Sequence, residues 1–402
     1  MLPVDEILEA LDLSRAQPGS GFLEALFARF NARVPFENAS KIVRDVRIES
    51  PQEKPRAPEL FWKEHLEQGA GGTCFARVAA FGALLEALGF PARRLLGKVE
   101  RDFDHAALLV ATPSGDVLAD VGFPLPALVP ARGGRIEGAV VDLEASPTPR
   151  GLHIGFSGGV PEGPRELEVF FEEVTDELYR DLWRRTFAPR ARFLQSVTLR
   201  KDAGNRVVSY SGGVLRVDDR HSRLAIPLAA SRAEALAGVF GVEKELLEEA
   251  FAIVREGSAS TTETTLTAYL ETDRSAEDAY AAISTPRGYR RLLEGIADVV
   301  GEEATGSGYR YELAAPGAGA GAPRLVEEVA TENGRRRLTV VRRIGESPQR
   351  SSFRAETRGK TTWLMREMTL SGSREDLLRN DALRGRLAGT LAVDLLAWAR
   401  LL

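Results

Sequence analysis

The sequence predicts an α+β chain of two units, and three patterns carry that expectation. Apolar residues at helical spacing open the chain. Short segments alternating between apolar and polar residues fill its middle. A second set of such segments then runs into one long apolar helical stripe. The length of 402 residues agrees with two to four domains at about 100–200 residues each.

Taken in order, Leu23, Leu26, Phe27 and Phe30 fall at i, i+3, i+4 and i+7, an amphipathic helix. It ends ahead of Val34-Pro35-Phe36-Glu37-Asn38, because a proline restricts the residue before it. A second helix is expected from Cys74 through Phe75, Val78, Leu85 and Leu88 to a stop at Gly89. Strands are expected at 95–100, 105–111 and 117–121, with Thr112-Pro113-Ser114-Gly115-Asp116 as the hairpin turn between the last two. Further strands are expected at 167–173, 193–200, 206–211 and 213–217, then a helix over 231–254. The small polar stretch from Arg255 to Thr262 reads as a linker. The expected division is therefore a first domain over 1–255, a linker at 256–262 and a second domain over 263–402.

In the second domain, Leu266, Ala268 and Leu270 alternate with Thr265, Thr267 and Tyr269, a half-buried strand. Ser275 stands three residues before Asp278, a helix-capping arrangement. Strands near 308–314, 324–331, 336–343, 352–356 and 361–371 precede a long helix from Ser373. Its stripe of Leu383, Leu387, Leu391, Leu395, Trp398 and Leu402 is best buried by an antiparallel sheet that grips it.

Composition excludes several classes. Apolar residues at 44% and charged residues at 28% exclude bulk disorder. No apolar run approaches 18 residues, so no transmembrane helix is expected. The opening Met1-Leu2-Pro3-Val4-Asp5-Glu6 lacks the basic and apolar regions of a secretory signal, and a cytoplasmic protein is expected. A net charge of −5 argues against a nucleic-acid or membrane partner held by a general basic field. Only seven of the 53 basic residues are lysine, so the runs Arg335-Arg336-Arg337 and Arg342-Arg343 follow from composition and read as solvated strand edges. Pro316-Gly317-Ala318-Gly319-Ala320-Gly321-Ala322-Pro323 lacks the Lys-Ser/Thr of a phosphate loop and reads as a hairpin connection. Asp218-Asp219-Arg220-His221 reads as a polar turn, since adjacent strand residues point to opposite faces. His65 is expected at an exposed helix position, and His153 has no evident partner.

The chain has one cysteine, Cys74, and four histidines, His65, His105, His153 and His221. No internal disulfide is possible, and no spacing matches a structural zinc site, so no metal is expected. Cys74 is then a buried small hydrophobe or a nucleophile. It follows Gly69-Ala70-Gly71-Gly72-Thr73 at a helix start, where amides and the helix dipole favour an anion. A nucleophilic cysteine needs a base and the base an orienting group. His105 lies 31 residues on and Asp120 another 15. With the hairpin centred between Thr112 and Pro113, residues 105 and 120 face each other directly; a turn one residue later offsets them along one face.

These motifs resemble one known family. Pro35-Phe36-Glu37-Asn38, Gly71-Gly72-Thr73-Cys74-Phe75, Asp104-His105-Ala106-Ala107-Leu108-Leu109-Val110 and Leu118-Ala119-Asp120-Val121-Gly122-Phe123 are similar to the arylamine N-acetyltransferases. The resemblance continues through Phe187-Ala188-Pro189 and Phe240-Gly241-Val242 and covers about residues 1–255. It implies a helical bundle, a β-barrel and an α/β lid of the cysteine-protease-like transferase type. It also implies catalytic Cys74, His105 and Asp120, acetyl-CoA as acyl donor, and an arylamine, arylhydroxylamine or hydrazine as acceptor. Cys74 would carry the acetyl group, His105 would move the protons and Asp120 would orient His105.

Two departures stand out. Ala70 replaces the arginine usual before the glycine pair, and Phe75-Ala76-Arg77-Val78 replaces Phe-Glu-x-Asn. The missing arginine usually supports the glutamate corresponding to Glu37, with Arg77 or another arginine as a candidate substitute. These changes keep two alternatives open: an amide synthase or acyltransferase using a carrier- or CoA-bound chain, and a non-catalytic protein that binds a hydrophobic ligand. Residues 262–402 resemble the helix-grip, START-like or polyketide-cyclase-like superfamily by element order, which implies an apolar ligand between sheet and helix.

Overall fold

The computed structural model describes residues 2–159, 165–228, 232–255, 263–294, 296–318, 324–344, 347–359, 361–370 and 381–402. The expected linker at 256–262, residues 319–323 of the glycine-rich connection and the expected helix start at Ser373 lie outside them. Two compact units emerge, residues 1–220 with 227–262, and 221–226 with 263–402.

The first unit opens with helices α1 (Val4–Ala10) and α2 (Ser20–Arg33), the short strand β1 (Phe36–Glu37), and helices α3 (Ala39–Arg47), α4 (Pro58–Gln68) and α5 (Cys74–Ala87). The expected face of α2 is the buried one: Leu23, Leu26, Phe27 and Phe30 are at most 2% exposed. Helix α5 runs through the middle of the unit, its first eight residues all buried. Phe81 packs against the rings of Phe27 and Phe30.

Strands β2 (Ala92–Lys98), β3 (Asp102–Val110), β4 (Val117–Ala119), β5 (Val129–Pro130), β6 (Gly134–Ile136), β7 (Asp142–Thr148), β8 (Gly151–Ser157) and β9 (Glu166–Phe170) form one antiparallel sheet. Its order is β5-β4-β3-β2-β9-β8-β7-β6. The two edge strands are thus joined by only three residues, which bends the sheet into a nearly closed barrel. Helix α6 (Asp176–Arg185) follows, then β10 (Leu199–Asp202), β11 (Val207–Ser211) and β12 (Val214–Asp218), with β1 paired to β10.

Two expectations fail here. Residues 193–200 are not one strand: Arg192–Leu194 form a 3-10 turn and pairing starts at Leu199. The carbonyls of Phe193 and Ser196 accept instead from Asn38 Nδ2, at 3.0 and 2.7 Å, so a side-chain amide takes the place of a strand partner. The expected helix over 231–254 is two, α7 (Arg232–Phe240) and α8 (Lys244–Val254). The break at Gly241-Val242-Glu243 frees the Glu243 amide to donate to the Gln68 carbonyl at 2.8 Å.

The second unit contains β13 (Ser222–Pro227), β14 (Thr264–Thr272), α9 (Ala276–Ala281), α10 (Pro286–Leu293), β15 (Asp298–Thr305), β16 (Gly308–Ala314), β17 (Leu325–Glu332), β18 (Arg337–Ile344), β19 (Ser347–Arg358) and β20 (Thr361–Leu370). The sheet order is β13-β14-β20-β19-β18-β17-β16-β15, antiparallel throughout. Ser275 caps α9 by accepting from the Asp278 amide at 3.0 Å. The C-terminal helix Asp381–Ala399 packs on β14 and β20. Leu391, Leu395 and Trp398 are buried and Leu387 and Leu402 half-buried, while the Leu383 side chain lies outside the described residues. Arg342 is not a solvated edge residue: it donates to the fully buried Glu327 at 2.8 Å, which also accepts from the Tyr289 hydroxyl at 2.7 Å. Among the described residues, no helix is long and apolar enough to cross a membrane.

Candidate active site

The glycine turn ahead of Cys74 is braced by β1. Phe36 bridges to Gly72, and the Glu37 amide donates to the Gly72 carbonyl at 3.2 Å. The fully buried Glu37 carboxylate accepts from the Gly71 amide at 3.1 Å, the Ser40 amide at 2.9 Å and the Ser40 hydroxyl. A Cβ on Gly71 would lie 1.9 Å from the Pro35 carbonyl oxygen, so glycine is there for close approach. Arg56 closes the turn from outside, donating to the Gly71 carbonyl and to Glu64 at 2.5 Å.

Glu37 is thus served by backbone and serine donors, without an arginine hydrogen bond. Arg77 does not substitute for the arginine missing at Ala70. It is fully buried and donates to the Val121 carbonyl at 2.7 Å, the Val34 carbonyl and Asn31 Oδ1 at 2.9 Å. Burial pushes its guanidinium down to about 9, against the opposing pull of Asp202, Asp120 and Glu37. The bond to Val121 ties α5 to the loop that carries Asp120 and Phe123.

Cys74 is the first residue of α5, 7% exposed, and Thr73 before it makes no side-chain cap. The first-turn amides are left for whatever charge sits at the sulfur. His105 lies on β3. The observed register pairs Leu108 with Ala119, Leu109 with Leu118 and Val110 with Val117. The hairpin is therefore centred one residue later than the arrangement that sets 105 directly opposite 120. Asp120 sits just past β4 and reaches His105 diagonally, Nε2 to Oδ2 at 2.7 Å, while its other oxygen accepts from the Phe123 amide at 2.8 Å.

Both groups are buried. Burial opposes the charged imidazole, but the Asp120 charge and hydrogen bond, with the Cys74 side chain, push it up to about 10. Cys74 also favours the charged ring; its sulfur lies 3.9 Å from the Asp104 carbonyl oxygen, and Nδ1 is the His105 nitrogen that Asp120 does not engage. A Cβ on Gly122 would come within 3.0 Å of both Cys74 Cβ and His105 Cε1, so this glycine lets the two approach. The structure brings all three sequence-predicted residues together.

Other groups near the site carried no clear sequence signal. Lys41 is buried, donates to Thr186 Oγ1 at 2.8 Å and lies 4.7 Å from the Phe187 ring centre. Burial pushes its amine down to about 8, with Cys74 and Asp45 opposing. The Tyr179 hydroxyl donates to the Phe75 carbonyl at 2.7 Å and pins the first turn of α5. Phe123 packs edge-on to His105 at 6.4 Å. His65 is not an exposed helix residue: it bonds the Ala70 carbonyl at 3.0 Å, and burial pushes it down to about 4. His153 pairs with Glu166 at 3.3 Å. Among the described residues, no cluster of His, Cys, Asp and Glu is arranged to hold a metal.

Residues 21–133 match a family model described as N-acetyltransferase. This N-terminal region is similar to the N-acetyltransferases. Over 150 residues the chain is 33% identical to the arylamine N-acetyltransferase of Mycolicibacterium smegmatis. That stretch is 35% of this chain, which spans about half (49%) of the relative's length. The fold is shared with the Mycobacterium marinum arylamine N-acetyltransferase in complex with CoA, at 20% identity and a TM-score of 0.53 over 63% of this chain and 99% of the other. It is also shared with a Bacillus cereus arylamine N-acetyltransferase described as having a unique Cys-His-Glu catalytic triad. The figures there are 17% identity and a TM-score of 0.51 over 60% of this chain and all of the other.

Proposed function

We propose that the first unit moves an acetyl group from acetyl-CoA through a thioester on Cys74 to the nitrogen or oxygen of an arylamine-type acceptor. One observation carries this reading: a cysteine at a helix start, beside a buried imidazole that Asp120 orients at 2.7 Å. The Cys74 sulfur attacks the donor's carbonyl carbon, a new C–S bond forms, and the bond to the CoA sulfur breaks. The proton held by His105 goes to the departing CoA thiolate. In the second half, the acceptor amine attacks the acetyl-cysteine carbonyl and gives its proton to His105, and Cys74 leaves as thiolate. The sum is acetyl-CoA plus amine giving amide plus CoA thiol. Amides of the first turn of α5, which Cys74 opens, are the candidate oxyanion donors.

On the same reading the transferase part is residues 1–255, followed by a linker at 256–262 and a helix-grip domain over 263–402. The antiparallel sheet with the C-terminal helix laid across β14 and β20 supports that assignment. An apolar ligand held there is the corresponding expectation.

Intact-mass measurement after incubation with acetyl-CoA tests the transfer. A ~42 Da adduct, acetyl replacing hydrogen, is expected on the wild-type chain and absent from Cys74→Ala. If acetyl-CoA leaves Cys74 unlabelled across a range of pH, this function is wrong.

A further inference from the structure

The first unit holds a cavity of about 530 Å³ behind Phe123, within the usual range of roughly 300–1,000 Å³ for small-molecule sites. Phe123 lines the cavity, and its ring lies 6.4 Å from the His105 ring. Leu125, Val140 and Phe156 continue the apolar lining. The charged part of the lining includes Arg200 and Asp202 on β10 and Asp218 on β12.

Arg200 is the unusual member. Its guanidinium carbon lies 5.9 Å from the centre of the Phe123 ring. Its buried Nε has no hydrogen-bond partner, and among the described residues the guanidinium meets no carboxylate within ion-pair distance. A half-buried guanidinium without an ion pair is costly, and an anionic ligand group would supply the missing partner. The nearby carboxyls compensate incompletely. Burial raises Asp202 and pushes Asp218 up to about 7, against the pull of Arg200 on each. The cavity therefore offers an apolar wall beside the catalytic imidazole and, across the Phe123 ring, a cation with no ion pair among the described residues.

We infer that Arg200 is a specificity-determining residue: it binds an anionic group, of carboxylate type, on the acceptor, at the end remote from the reacting nitrogen. The apolar body of the acceptor lies against Phe123, Leu125 and Phe156, and its amine points past Phe123 towards Cys74. This rests on the acetyl-transfer reading above. An anion on the acyl donor would present the same chemistry, and the two sources separate in the two halves of the reaction.

The test uses the full chain with a matched pair of acceptors, 4-aminophenylacetate and its neutral amide. The wild type is expected to prefer the carboxylate by about tenfold or more in kcat/KM. Arg200→Leu is expected to erase the preference, and Arg200→Lys to restore part of it. An equal fall for both acceptors assigns Arg200 a structural role and overturns the inference. So does a wild type with no preference, or a slower acetylation of Cys74 by acetyl-CoA in Arg200→Leu, which would place the anion on the donor. Calorimetric binding of the same two compounds to wild type and Arg200→Leu tests the residue without turnover. Failure of Cys74 to acetylate, with binding still selective for the carboxylate, would count against the transfer reading alone.

Discussion

Replacing Asp120 by asparagine keeps the side chain's shape and removes the charge that faces His105 Nε2 at 2.7 Å. The buried imidazole sits at about 10 only because the Asp120 charge and hydrogen bond, with Cys74, outweigh burial. Without that charge, burial dominates and the ring falls to its ordinary 6.5 or below. The change is at least about 3.5 pH units, or ~5 kcal/mol of bias towards the imidazolium. With four histidines in the chain, the Cε1 proton resonances can be followed singly by NMR, His105 being assigned by its loss in His105→Gln. The wild-type ring is expected to stay protonated to near pH 10, and the Asp120→Asn ring to be neutral at pH 7. Acetylation of Cys74 by acetyl-CoA should slow by about 10²–10⁴ in the variant at neutral pH. A wild-type His105 titrating near 6.5, or a variant acetylating at the wild-type rate, would refute the assigned role of Asp120.

Four further outcomes follow from the same geometry. Because the His105 value is raised on folding, its contribution to stability is complete below about pH 6.5 and disappears as pH climbs through about 10. Urea midpoints between pH 7 and 10 should therefore drop more steeply for the wild type than for Asp120→Asn. Arg77→Met leaves two carbonyls and Asn31 buried without their donor and should cost the first unit about 3 kcal/mol or more, read from the fluorescence of the buried Trp62 and Trp183 during denaturation. Gly122→Ala would push a methyl to 2.3 Å from the Ala106 carbonyl oxygen and against Cys74 and His105. Acetylation of Cys74 should fall by about 10² or more. Ser275→Ala removes the cap of α9 and should lower the stability of the second unit by about 1 kcal/mol, seen in calorimetry, with Cys74 labelling unaffected.

Much of the site was legible because its parts are local. Cys74 at a helix start follows from a glycine turn before an apolar helical pattern, and the Pro35-Phe36-Glu37-Asn38 motif marks the strand that braces that turn. The offset between His105 and Asp120 was not legible, since shifting a turn by one residue leaves the alternation pattern intact while moving every cross-strand partner. Strands β5 to β8 carry short stretches with glycine and proline, such as Val129–Pro130 and Gly134–Ile136, whose pairing comes from barrel closure and not from local propensity. The same holds at 193–200, where a distant Asn38 decides which carbonyls are satisfied.

By itself the sequence determined that the chain builds helices first, strands after, and one cysteine with a histidine and an aspartate downstream. Those are matters of periodicity and residue chemistry, which act over a few neighbours. Tertiary structure alone decided the charge on His105, the replacement of an arginine at Glu37 by the Gly71 amide and Ser40, and the burial of Arg77 against the Val121 carbonyl. It also decided that Arg200 lines a cavity with no hydrogen-bond partner for its buried Nε. Desolvation and long-range hydrogen bonds set each of these, and both depend on which residues meet in space.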